Sequence, residues 1–281
     1  MSMLTNPLVT QIIAMALNED VGTGDITTET TIPADKTAFG RFIAKESMVI
    51  CGLEIAELVF HTVDKDVVFT PNCHDGDFVE KGFVIATVTG NARNVLTGER
   101  TALNLMQRMT GIATRTSEAV KCVEGTKAKI ADTRKTTPGL RVLEKYAVRV
   151  GGGSNHRFNL ADGILIKDNH IAVSGGIINA VKNARASAPH TIKIEIEVEN
   201  KVQLLQALEA KADIIMLDNM TNEEMAECVK IVDGRAMLEA SGNMGDKDLA
   251  AVAKTGVDII SIGALTHSVK AADISLKFTI S

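Results

Sequence analysis

Between Lys129 and Ile171 the chain reads KIADTRKTTPGLRVLEKYAVRVGGGSNHRFNLADGILIKDNHI, and three cationic clusters stand out in it. They are Thr133-Arg134-Lys135, His156-Arg157, and Lys167 in the run Lys167-Asp168-Asn169-His170. The first and third each follow a short apolar run, KIAD and GILI, of the kind a buried strand shows. Charge concentrated at the ends of buried strands is costly unless something pairs it, so these cations suit a polyanionic small molecule. Lys167 also admits a Schiff-base role, but with Arg134, Lys135 and Arg157 nearby an anion contact is the better reading. His156 admits a general-base role; beside Arg157, a hydrogen-bond donor to a carboxylate is preferred. His170 and His267 read as satisfied structural histidines.

The elements that must position these groups follow from the apolar pattern after about residue 125. Six strand candidates, AKIAD, GILIK, TIKIEIEVE, ADIIMLD, GRAMLEAS and VDIISIGA, alternate with helical segments at 174–187, 200–211, 221–231 and 246–255. Apolar runs of this kind mark parallel strands covered on both faces, and the βα repeat predicts a β/α barrel, incomplete, with a seventh strand near Val148. An open doubly wound sheet is the weaker alternative.

In such barrels the active site lies at the carboxyl ends of the strands. The residues there are Thr133-Arg134-Lys135, Lys167 to His170, Glu197-Val198-Glu199, Asp218-Asn219, Ser241-Gly242-Asn243 and Gly263-Ala264. The turns Ser241-Gly242-Asn243 and Ile262-Gly263-Ala264 follow the last two strands, where barrels often hold a phosphate on backbone N–H groups; glycine allows the close approach. Glu197 and Asp218, carboxylates among cations, suit Mg²⁺ and sugar hydroxyls, or ion pairs with Lys135 and Lys167 in the empty site. In IEIEVE, Glu195, Glu197 and Glu199 share one strand face, and periodicity does not choose among them.

Ahead of the barrel, residues 6–18 have helical spacing and EDVGTGDITTETTIP reads as a loop in which Asp25 or a threonine satisfies free backbone donors. From Lys36 to Gly90 the runs are short and strand-like. The string DGDFVEKGFVIATVTG resembles a hairpin of biotinyl and lipoyl carrier domains. Lys81 lacks the Met or Asp that flanks a modifiable lysine there, so shared β geometry is preferred over a carrier role. Residues 98–116 form an amphipathic helix with Arg100 and Arg108 off its apolar stripe, and Arg108 reads as a solvated face arginine.

Hydrophobic residues at 45% exclude disorder, and a net charge of −5 speaks against binding nucleic acid. Four scattered cysteines, Cys51, Cys73, Cys122 and Cys228, read as buried structural cysteines in a reducing compartment rather than a disulfide or zinc framework. Neither a signal peptide nor a membrane-spanning run is expected, and the default location is cytoplasmic.

Taken together, EDVGTGDIT (19–27), GERTALNL (98–105), DTRKTTPGLR (132–141), GGGSNHR (151–157) and LIKDNHI (165–171) resemble the quinolinate phosphoribosyltransferase family. So do EIEVEN (195–200), MLDN (216–219), LEASGN (238–243) and SIGALTHS (261–268). The resemblance implies an N-terminal α/β sandwich domain over 1–112 to which the tail 268–281 returns. It further implies an incomplete, seven-stranded-type β/α barrel over 113–267. It implies transfer of phosphoribosyl from phosphoribosyl pyrophosphate to quinolinate, with decarboxylation, in a Mg²⁺-dependent homodimer. Arg134, His156 and Arg157 would hold the quinolinate carboxylates, with Arg100 reaching in from the other subunit. Lys135 and Lys167 would meet pyrophosphate or carboxylate oxygens, and Thr133 belongs to the same strand end. Glu197 and Asp218 would serve the ribose hydroxyls and Mg²⁺, while Ser241 to Asn243 and Ile262 to Ala264 would hold the 5′-phosphate. The alternatives are a sister transferase of the same fold acting on another acid, and a non-catalytic phospholigand-binding barrel.

Overall fold

The computed structural model describes residues 6–280, with backbone alone at residue 280. The chain divides into two compact units that interleave in sequence. The first holds the described residues up to Ser117, Thr137–Gly152, and those from Val269 onward; the second holds Glu118–Thr136 and Gly153–Ser268. The expectation of a contiguous 113–267 barrel differs from this in two segments, 113–117 and 137–152, which group with the first unit.

In the first unit, strands β1 (Thr37–Ala44), β2 (Met48–Val49), β3 (Val68–Pro71), β4 (Phe78–Val79) and β5 (Val84–Asn91) are short and antiparallel. The main sheet runs in the order C-terminal strand, β1, β5, β3, and β1 alternates exposed and buried residues as a half-covered strand must. Its inner face supports an aromatic cluster, with Phe42 ring-to-ring 6.1 Å from Phe60 and 5.7 Å from Phe69. Helix Pro7–Val21 begins at an Asn6 cap with proline in its first turn, and buries Val9, Ile13 and Leu17 at four-residue spacing. The two arms of the carrier-like string separate: β4 pairs with β2 and β5 with β1 and β3, so they form no hairpin. Lys81 is exposed in the turn between them.

Two readings of this unit change. The segment after Asp20 is not all loop: Asp25 accepts the Thr28 amide at 3.0 Å and caps a short helix, Ile26–Thr31. Arg108 is not a solvated arginine. It lies on the long helix Ala92–Cys122 and bonds Glu144, whose side chain is fully buried, at 2.8 Å.

The second unit carries β6 (Lys129–Ala131), β7 (Ile164–Ile166), β8 (Ile194–Val198), β9 (Ile214–Asp218), β10 (Met237–Ser241) and β11 (Ile259–Ser261). They form one parallel sheet in the order β6-β11-β10-β9-β8-β7. The last strand therefore lies beside the first, as barrel closure requires. A bridge from Ala131 to Ser154 adds a further parallel position on the other side of β6, and the ring stays open between that position and β7. The seventh strand expected near Val148 is absent there: Val148 is buried in helix Arg141–Val150, where Leu143 and Ala147 repeat at helical spacing. The incomplete α/β barrel is otherwise as the strand pattern predicts.

Three of the helices that follow the barrel strands begin at side-chain caps. Asn200 accepts the Gln203 amide, Thr221 and Glu224 cap one another, and Asp248 accepts from Ala250 and Ala251. The C-terminal strand, β12 (Ile274–Ile280), pairs antiparallel with β1 in the first unit. Among the described residues no helix is long and apolar enough to cross a membrane.

Candidate active site

At the carboxyl ends of β6 to β11 the second unit encloses a cavity of about 660 Å³. Its wall brings together Thr133, Arg134, Lys135, His156, Arg157, Lys167, Glu197, Asp218, Ser241, Gly242, Asn243, Gly263 and Ala264. Of the expected residues, two stand apart. Ile262 is buried with its amide donated to the Ala131 carbonyl at 2.9 Å, and Arg100 belongs to the other compact unit.

The acid end is built by Asp132, fully buried at the end of β6. Its Oδ1 accepts the His156 amide at 2.8 Å and its Oδ2 accepts Asn155 Nδ2 at 2.6 Å. The segment GGGSNHR is thereby fastened to DTRK, and His156 and Arg157 come beside Arg134. The Arg157 guanidinium donates to the Gly163 carbonyl at 3.0 Å. Burial, and then the neighbouring Arg134, weaken its hold on its proton, while Glu195 opposes them. Two guanidiniums side by side against a partly buried wall make a receptor for paired carboxylates.

The loop after β6 is tightly held. The Lys135 amide donates to Thr133 Oγ1 at 3.1 Å, and Thr266 Oγ1 donates to the Lys135 carbonyl at 2.7 Å. Lys135 then packs over the second glycine turn. A Cβ on Gly263 would lie 3.0 Å from Lys135 Cδ and 3.2 Å from the His267 ring, so a side chain there would displace the lysine. Gly242 is more constrained: its φ is +92°, and a Cβ would meet Asn219 Oδ1 at 2.2 Å.

Lys167 follows β7, and its amide donates to His170 Nδ1 at 2.9 Å. That bond gives His170 the structural role expected of it. The Lys167 ammonium reaches Glu197 Oε2 at 2.9 Å. Asp218, at the end of β9, accepts Asn219 Nδ2 at 2.6 Å. Burial and the Glu197 charge raise its pKa, against the pull of Lys167 and Lys135. The glutamates of IEIEVE differ in surroundings: Glu195 is buried, Glu197 lines the cavity beside Lys167, and Glu199, just past the end of β8, is exposed. Of the three, Glu197 is the one that lines the cavity.

Sequence reasoning overlooked Glu239. It is 1% exposed, borders the cavity, and sits with Glu195 around His156. Burial and the Glu195 charge push its carboxyl up to about 7, opposed by His156. The signal was there to read: an acid within MLEAS, a strand covered on both faces, has to have a polar partner. His267, also on the wall, pairs with Ser268 Oγ at 2.6 Å.

Cations, two carboxylates and two glycine turns thus line one cavity, and the comparisons with known proteins agree on one family. The model described as "Quinolinate phosphoribosyl transferase, C-terminal domain" matches residues 112–277, and its N-terminal-domain companion matches residues 25–110. A probable nicotinate-nucleotide pyrophosphorylase (carboxylating) of Bacillus subtilis strain 168 is 48% identical over 263 residues, 94% of this chain and 91% of that protein. The nicotinate-nucleotide pyrophosphorylase (carboxylating) of Mycobacterium leprae strain TN is 45% identical over 275 residues, 94% and 95% of the two chains. The solved nicotinate-nucleotide pyrophosphorylase of Francisella tularensis superposes with a TM-score of 0.92 at 44% identity, covering 97% of this chain and 96% of that one. The chain belongs to the quinolinate phosphoribosyltransferase family.

Proposed function

We propose that this chain transfers the phosphoribosyl group of phosphoribosyl pyrophosphate to quinolinate, releasing pyrophosphate and CO₂ and leaving nicotinate mononucleotide. The carrying observation is that Arg134, Arg157, Lys135 and Lys167 line one cavity together with Glu197 and Asp218. A monocarboxylic acid has no use for so many cations, whereas a pyridine dicarboxylate and a pyrophosphate together do.

Arg134 and Arg157, with His156 beside them, receive the acid carboxylates and aim the pyridine nitrogen at C1′ of the ribose. Lys135 and Lys167 meet oxygens of the leaving pyrophosphate or of the acid. The amides of Ser241 to Asn243, with Gly263 and Ala264, receive the 5′-phosphate. As the N–C1′ bond forms, the C1′–O bond to pyrophosphate breaks, and the electron pair leaves with pyrophosphate. Catalysis then rests on alignment and on stabilising that departing charge. The ring nitrogen is now cationic, and its charge stabilises the electron pair that stays on the adjacent carbon as CO₂ departs; that carbon then takes a proton from solvent.

Glu197 and Asp218 offer oxygen donors to a divalent cation; Asp218 is raised by burial first and then by the Glu197 charge, and such a cation would relieve that repulsion. When bound with phosphoribosyl pyrophosphate, Mg²⁺ would neutralise developing pyrophosphate charge. The same carboxylates accept hydrogen bonds from the ribose hydroxyls. A homodimer in which Arg100 completes the partner's site remains part of this reading, resting on the family resemblance. The free cysteines fit a reducing, cytoplasmic setting.

The test is stoichiometry: with quinolinate, phosphoribosyl pyrophosphate and Mg²⁺, one CO₂ and one pyrophosphate should appear per nicotinate mononucleotide. Pyrophosphate without CO₂ would point to another acid as the substrate.

A further inference from the structure

Two carboxylates with no place in the transfer step meet at His156. Glu195 is 4% exposed and Glu239 1%. His156 Nε2 stands 3.0 Å from Glu195 Oε2 and 3.7 Å from Glu239 Oε2. On the other side of the ring, Nδ1 receives the backbone N–H of Arg157 at 2.8 Å.

That second contact fixes the tautomer. Nδ1 facing an N–H donor has to be an acceptor, so the ring proton is on Nε2 and points at the carboxylates. The same bookkeeping bears on a metal. His156, Glu195 and Glu239 offer ligand atoms within 4.8 Å of one another. For Nε2 to bind a cation, its proton would have to move to Nδ1, against the Arg157 N–H. The donor set is therefore arranged for a proton, not for a divalent ion.

We propose that Glu195, with Glu239 behind it, is a positioning residue for the acid site: Glu195 accepts Nε2–H of His156, leaving Nδ1 to orient the Arg157 main chain, so that Arg157 and not the imidazole meets the acid. The proposal rests on the functional reading above and refines it. Both ring nitrogens are engaged inside the protein, and the imidazole acts on the substrate through its neighbour. Glu195 also supports the Arg157 charge against Arg134.

The test has two arms. In full-length protein labelled with ¹⁵N-histidine, two-bond ¹H–¹⁵N correlation should show the neutral Nε2–H form for His156, identified by loss of its signal in His156→Gln. The form should persist at saturating quinolinate. An Nδ1–H tautomer, a ring protonated on both nitrogens once quinolinate binds, or loss of the Nε2–H signal on adding Zn²⁺ would each overturn the proposal. In the second arm, Glu195→Gln should raise KM for quinolinate roughly ten- to hundredfold, as misplacement of a binding group does. KM for phosphoribosyl pyrophosphate should hold. A fall in kcat with both KM values unchanged would mark a merely structural role and overturn it. The spectrum of the free protein needs no substrate, so a wild-type protein inert toward quinolinate would defeat the functional reading separately.

Discussion

Lys167 Nζ lies 2.9 Å from Glu197 Oε2, joining the ends of the neighbouring strands β7 and β8. The lysine side chain is 48% exposed, so this ion pair adds little to stability. In the proposed function the lysine meets substrate oxygens in the cavity that it lines. Lys167→Ala should therefore lower kcat/KM at least about a hundredfold, the scale of a lost transition-state charge partner. The unfolding midpoint in urea should stay close to wild type. A large shift in that midpoint with modest loss of activity would contradict the assignment.

Arg134→Ala should abolish measurable turnover, because the remaining cations cannot hold both carboxylates. Since Arg134 lies on the cavity wall in the second unit, the oligomeric state seen by sedimentation should not change. Substantial retained activity would refute its role.

Gly242→Ala combines a left-handed backbone with a Cβ inside the Asn219 amide. The expected cost is about 1–3 kcal/mol of stability, read by denaturant unfolding, with a raised KM for phosphoribosyl pyrophosphate as the turn shifts. A variant as stable as wild type would mean that the turn adapts freely.

In the first unit, Arg108→Ala leaves the buried Glu144 carboxylate without its 2.8 Å guanidinium contact. Loss of one partner of a buried pair costs about 3–5 kcal/mol. Glu144→Gln should cost less, because the amide keeps an oxygen for the Thr137 amide that Glu144 Oε2 accepts at 3.1 Å. Equal unfolding curves for wild type and Arg108→Ala would contradict the pairing.

Glu239 carries a pH signature. Its folded pKa, about 7, exceeds the ordinary 4.5, chiefly from burial and then Glu195, with His156, Ser261 and Lys167 opposing. A raised pKa means that the folded state holds the proton more tightly. The stabilisation is complete below about 4.5 and is lost as pH rises through about 7. Glu239→Gln cannot ionise, so its stability relative to wild type should improve from pH 4.5 to 7. A flat difference in melting temperature across that window would count against the buried, proton-holding carboxyl.

Much of this was legible in the chain because barrel strands and their caps are local signals. KIA, ILI, IIMLD and MLEAS are apolar runs that end in the groups lining the cavity. The helical segments expected at 200–211, 221–231 and 246–255 follow, and the structure shows them capped by Asn200, Thr221 and Asp248. What local pattern could not show was long-range pairing. Arg108 looked solvated because Glu144, its partner, is 36 residues away on another helix. Val148 looked like a strand because a short apolar run does not distinguish a strand from the buried stripe of a helix. Ile262 looked like a phosphate contact because position in a turn does not reveal that its amide is already given to Ala131. Glu239 was hidden by the opposite habit of attending to strand ends rather than to an acid in mid-strand.

The central claim is that these cations select a dicarboxylate. The most direct measurement compares kcat/KM for quinolinate and nicotinate in the presence of phosphoribosyl pyrophosphate and Mg²⁺. The account predicts turnover of quinolinate with nicotinate disfavoured by at least about a hundredfold, the scale on which a site rejects an analogue that leaves its buried charges unmatched. Comparable turnover of nicotinate, or of neither acid, would contradict it.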